Sequence, residues 1–214
     1  MALLTDSLCI LHVPKTGGRF IERILPLIGV PITQVGEVDP FPSLLGWKYP
    51  WPWVQKQHAV PTHEEVGNRI VVAFVRHPVD WLRSYYGHSG IGKGETNGQL
   101  DARRVEAESF DDFAFDVSKN DPGYVGSMFD AYLSGWSTLL IFSHGDVNSG
   151  LAVALNAGGE EYEANILISA PPFGEGTKPF IGESAFNAIC ASEAALLDRY
   201  GYTSDYASWQ SFAC

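Results

Sequence analysis

Between residues 8 and 28 the hydrophobic pattern changes period, and it does so at a Lys-Thr-Gly-Gly turn. Leu8 to Val13 is an apolar run short enough for a buried strand, and Pro14 ends it. Phe20, Ile21, Ile24, Leu25 and Ile28 then recur at helical spacing. Gly17 and Gly18 let the backbone turn tightly and present N–H groups to an anion. An anion there would also meet the positive end of the helix dipole, and Lys15 adds a full charge. The order matters. The Walker pattern places its Lys after the glycines, whereas Lys15 precedes them, and the spacing does not match G-x-G-x-x-G either.

A second strand-to-helix segment follows at residues 70–86, IVVAFVRHPVDWLRSYY. Ile70 to Val75 is β-branched and uncharged, as a buried strand requires. Arg76 stands at its carboxyl end, the edge at which open α/β sheets bind ligands. Pro78 opens a helical stretch with Trp81, Leu82 and Tyr85 on one side, and Ser84 lies eight residues beyond Arg76. A guanidinium with several fixed donors and a nearby hydroxyl suit a phosphate.

These two segments together resemble the sulfotransferases that use 3′-phosphoadenylyl sulfate (PAPS). Strand-P-K-T-G-G-helix is similar to their 5′-phosphosulfate loop, and strand-R-x-P-x-x-x-x-x-S-x-Y to their 3′-phosphate segment. WVQKQHAVPTHEEV, at 53–66, is similar to the K-x-H-A-[TS] segment of the small carbohydrate-type members. AALLDRYGY, at 194–202, resembles their closing helix. The likeness is good over 8–30 and 53–90 and thin from 91 to 165. There IFSHGDV (141–147) stands where many relatives carry R-[FY]-E-[DN]-L, so nothing from that segment is carried over. Arg19 departs too, since the family usually has Thr or Ser there.

The resemblance implies a P-loop-type three-layer α/β sandwich, a central parallel sheet flanked by helices, in a single domain over 1–214. It implies PAPS as sulfuryl donor and 3′-phosphoadenosine 5′-phosphate (PAP) as product. Lys15, Thr16, Gly17, Gly18, Arg19 and Phe20 would form the 5′ site, with Lys15 on the leaving-group oxygen and the Thr16 hydroxyl on the phosphate. Arg76 and Ser84 would hold the 3′-phosphate. No bridging metal is needed. The acceptor would be a small molecule or a carbohydrate. A base that titrates near neutrality favours His, and His58 stands at the K-x-H-A position. His63, Glu64 and Glu65 are the alternatives. His77 and His12 read as packing residues, and His88 and His144 have no case beyond composition. Two other readings compete: a P-loop kinase of a small molecule, and a non-catalytic nucleotide-binding module of the same fold.

Composition bounds these readings. The net charge of −11, with 14 Lys and Arg, disfavours nucleic acid and a broad polyanionic acceptor and calls for a focused basic site. No apolar run reaches membrane-spanning length, and the N-terminus lacks a basic region and a cleavage site, so a cytoplasmic protein is expected. Cys9 and Cys190 lie in apolar periodic segments and read as core thiols; no disulfide framework is implied. Along the chain the pattern predicts strands at 8–13, 70–75 and 139–142. Helices are predicted at 19–29, 61–68, 79–87, 110–117, 124–134, 149–157 and 184–200. An aromatic excursion (36–56) and loops at 87–104 and 169–180 would shape the acceptor pocket.

Overall fold

The computed structural model describes residues 1–36, 59–87, 99–171 and 178–212. The described chain is α/β, with one five-stranded mixed sheet and eleven helices. It divides into two compact units. The first takes residues 1–36, 59–76 and 131–171, and the second takes 77–87, 99–130 and 178–212.

The first unit holds the whole sheet: β1 (Ala2–Leu4), β2 (Leu8–Leu11), β3 (Thr33–Val35), β4 (Ile70–Val75) and β5 (Leu139–Ser143), in spatial order β3-β1-β2-β4-β5. The predicted parallel arrangement is found for β2, β4 and β5, with Cys9 opposite Val71 and Ala73 opposite Ile141. β1 runs antiparallel to both β2 and β3, so the sheet is mixed rather than wholly parallel. Three-residue strands such as β1 and β3 are too short to show a period, which is why the pattern missed them. Glu160 braces the β1–β2 turn, its carboxylate accepting from the Ser7 N–H (3.0 Å), the Ser7 hydroxyl (2.7 Å) and the Thr5 hydroxyl.

Helix α1 (Gly18–Leu27) leaves β2 and leads to β3 on one side of it, whereas α2 (His63–Val66) precedes β4 on the other. The chain thus reverses its winding direction at the carboxyl end of β2, the position at which open α/β sheets form a crevice. Two further helices, α7 (Val147–Gly158) and α8 (Ala164–Ser169), follow β5. Phe20, Ile21, Ile24 and Leu25 of α1 and Leu151, Ala154 and Leu155 of α7 bury one face of the sheet, closing over Leu3, Leu8, Ile10, Val72 and Phe74. Each such Leu, Ile, Val or Phe side chain contributes roughly 1.5–3 kcal/mol on burial.

The second unit is helical: α3 (Pro78–Tyr86), α4 (Gln99–Glu106), α5 (Phe110–Asn120), α9 (Glu183–Ser192), α10 (Ala194–Tyr200) and α11 (Tyr206–Phe212). The chain returns to the first unit along α6 (Tyr124–Leu133). Trp81 stacks on Tyr85 at 5.4 Å and Tyr85 on Phe113 at 6.3 Å, tying α3 to α5. His77 caps α3, its Nδ1 accepting from the Val79 N–H at 3.2 Å. Its proton therefore sits on Nε2, which donates to the Thr203 carbonyl at 2.9 Å. Burial holds this imidazole below its ordinary pKa. The single helix predicted over 184–200 is two helices that meet at Glu193, and the predicted loop at 87–104 is helical from Gln99. Among the described residues no helix is long and apolar enough to cross a membrane.

Candidate functional site

β2, β4 and β5 are parallel neighbours, so their carboxyl ends lie along one edge of the sheet. Three segments emerge there, all within the first unit: the turn His12–Gly18, Arg76, and His144 in a short 3-10 turn (His144–Asp146).

The turn has the geometry that its glycines suggest. Gly17 is the N-cap of α1 in the left-handed region (φ 92°), and its carbonyl accepts from the N–H groups of Phe20 (2.9 Å) and Ile21 (3.1 Å). Lys15 also takes a positive φ, 63°, a conformation that costs a non-glycine residue of order 1–3 kcal/mol. That conformation is held by Arg76, whose Nη1 donates to the Lys15 carbonyl at 3.2 Å across 61 positions of sequence. Among the described residues no side chain caps the start of α1. Among the described residues no partner is found for the N–H groups of Thr16, Gly17, Gly18 and Arg19. This is the donor set that an anion would use.

Two residues of the predicted 5′ site are turned away from a ligand. The Thr16 hydroxyl donates to the Val13 carbonyl at 2.9 Å and braces the turn, and its side chain is buried. Phe20 is turned into the core beside Leu8 and Ile10, and its N–H is committed to Gly17. Arg19 is exposed at the first turn of α1. Ser84 lies half-buried on α3, in the second unit. His58 falls outside the described residues, as does most of the aromatic excursion. Of the alternative bases, Glu65 closes a capping box, accepting from the Thr62 N–H at 2.7 Å while its own N–H bonds the Thr62 hydroxyl at 3.2 Å. His63 packs against Trp136 at 4.7 Å between ring centroids, and Glu64 is exposed.

Two histidines border the glycines: His12, which the sequence reads as a packing residue, and His144, for which it offers no role. The His12 ring lies on the Cα of Gly18, so closely that a methyl group at 18 would overlap it. Burial foremost, then nearby positive charges that include Arg19, push His12 down to about 4, so it is a neutral imidazole at pH 7. His144 borders Gly17: a Cβ there would stand 3.2 Å from its Cδ2 and 3.4 Å from its Nε2, with Val147 at 3.7 Å. The only sequence signal for His144 is its place directly after an apolar strand. That signal gains meaning once β5 is known to pair with β4. Away from this edge, burial pushes the thiols of Cys9 and Cys190 up to about 12, which makes both unreactive core groups. Comparison with protein-family models, with curated proteins and with solved structures finds no match.

Proposed function

We propose that the chain is a sulfotransferase that moves the sulfuryl group of PAPS to a hydroxyl or amine of a small-molecule or carbohydrate acceptor by in-line displacement. The observation that carries this reading is the bond between the two phosphate motifs, Arg76 to the Lys15 carbonyl. Each segment resembles the family independently of the other, and their convergence at neighbouring strand ends supports reading them as one site. On this reading the mixed sheet belongs to a P-loop-type three-layer sandwich with β1 added to its parallel strands.

The chemistry follows from charge. The sulfuryl group must be held in line while negative charge grows on the departing phosphate, and fixed donors that need no reorganisation provide most of the stabilisation. The N–H groups of Thr16, Gly17 and Gly18 would hold the 5′-phosphate, and Lys15 the leaving oxygen. Arg19 would add charge where relatives have a hydroxyl. A guanidinium has five N–H donors, so Arg76 can brace Lys15 with one edge and meet the 3′-phosphate with another, with Ser84 as its partner by sequence register. His58 would take the acceptor proton.

The test pairs binding with turnover. PAP should raise the melting temperature and ATP–Mg²⁺ should not. Labelled sulfate should pass from PAPS to members of a panel of sugars and small alcohols, and Lys15→Ala should slow that transfer by ~10²-fold or more. Stabilisation by ATP–Mg²⁺ and not by PAP would replace this reading with a kinase.

A further inference from the structure

We propose that His144 is a ligand contact of the same cradle, donating from Nε2 to a peripheral oxygen of the anionic group seated on Gly17 and Gly18; this rests on the PAPS reading above.

Three observations place it there. The 3-10 turn that carries His144 begins where β5 ends, so the residue stands at the same sheet edge as the Lys15 turn and Arg76. Its Cδ2–Nε2 edge is 3.2–3.4 Å from where a Gly17 side chain would begin, which makes it a near neighbour of an unpartnered N–H group. Position 17 favours glycine for its φ of 92°, and a Cβ there would meet this ring more tightly than an ordinary van der Waals contact.

The chemistry of the cradle gives the ring a purpose. A tetrahedral phosphate or sulfate has oxygens left over after the backbone N–H groups have taken theirs. The usual hydroxyl contact is missing twice over, since residue 19 is Arg and the Thr16 hydroxyl is spent on Val13. An imidazole N–H from the neighbouring strand end supplies a donor of the required kind, stronger if the ring is protonated. His12 lies on Gly18 rather than Gly17, so His144 is the ring beside the Gly17 N–H.

The experiment is NMR of the full chain labelled in its histidine rings, titrated with PAP, with adenosine 3′-phosphate and with inorganic sulfate. His144→Gln assigns the resonance. PAP and sulfate should move the His144 signals, whereas adenosine 3′-phosphate, which lacks the 5′ group, should leave them in place. By calorimetry His144→Phe should weaken PAP tenfold or more, and His144→Gln, which keeps an N–H donor, should recover part of that loss. If PAP binds while the His144 signals stay still and His144→Phe binds normally, the proposal is overturned and the sulfotransferase reading stands. If PAP does not bind at all, that reading falls. Sulfate then decides alone: moved His144 signals keep it as an anion contact, and unmoved ones remove it.

Discussion

Gly18 shows how one missing side chain holds a site together. Its Cα is covered by the His12 ring, and that ring is held neutral by burial. Gly18→Ala should therefore cost about 1–3 kcal/mol, the range for forcing extra volume into a packed place. Most of that cost should vanish when His12→Ala is the background, as a urea-denaturation double-mutant cycle would show. Equal costs in the two backgrounds would mean that the ring does not occupy that space. Residue chemistry at the turn was legible in the sequence because Lys, Thr and two glycines have few other reasons to stand between an apolar run and a helix. The contacts that complete the site were not. His144 is adjacent to the glycines only through sheet pairing, and nothing local encodes a neighbour from β5; His12 stands in the same turn, and its contact with Gly18 follows from how that turn folds.

The elements themselves divide along the same line. α1, α3, α5, β4 and β5 have enough length for a period to be read, and they fall within a few residues of the predicted places. β1, β3 and α8 are too short. The break between α9 and α10 was hidden because the apolar pattern continues through it. It falls at Glu193, 4% exposed, whose carboxylate accepts from the N–H groups of Val125 (2.7 Å) and Gly126 (3.0 Å) at the start of α6. All these groups belong to the second unit. Burial outweighs the two bonds and pushes Glu193 up to about 7 from an ordinary 4.5. The sign then follows. Below pH 4.5 the group is protonated folded or unfolded and its contribution is fully present. As the pH rises towards 7, the unfolded chain ionises first and stability is lost, by about 3 kcal/mol at most. Glu193→Gln cannot ionise and keeps a carbonyl acceptor. Its stability relative to wild type should rise between pH 4.5 and 7.5, and taking that difference cancels the opposite slope from His12. A gap that stays constant across this range would contradict the account.

For the whole molecule, the informative contrast is between a chain of net charge −11 and one sheet edge that gathers Lys15, Arg19 and Arg76 about a set of unpartnered N–H groups. On the proposed function such an edge would bind through local geometry rather than through a long-range field, and its affinity should depend on each phosphate being matched to its own donors. The α/β class was legible because alternating strands and helices leave few topologies, and Arg76 stands at a strand's carboxyl end as its place after an apolar run predicts. The antiparallel β1 was not legible, since nothing in Ala2–Leu4 distinguishes the two strand directions. On the proposed function the Lys15 turn and Arg76 form one site for two phosphates. Calorimetry on wild type and Arg76→Ala with PAP, adenosine 5′-phosphate and adenosine 3′-phosphate tests it most directly. Wild type should bind PAP at least tenfold more tightly than either monophosphate. Arg76→Ala should bind PAP no better than adenosine 5′-phosphate, having lost the hold on the 3′ group. An Arg76→Ala variant with undiminished PAP affinity, or a wild type indifferent to the 3′-phosphate, would contradict it.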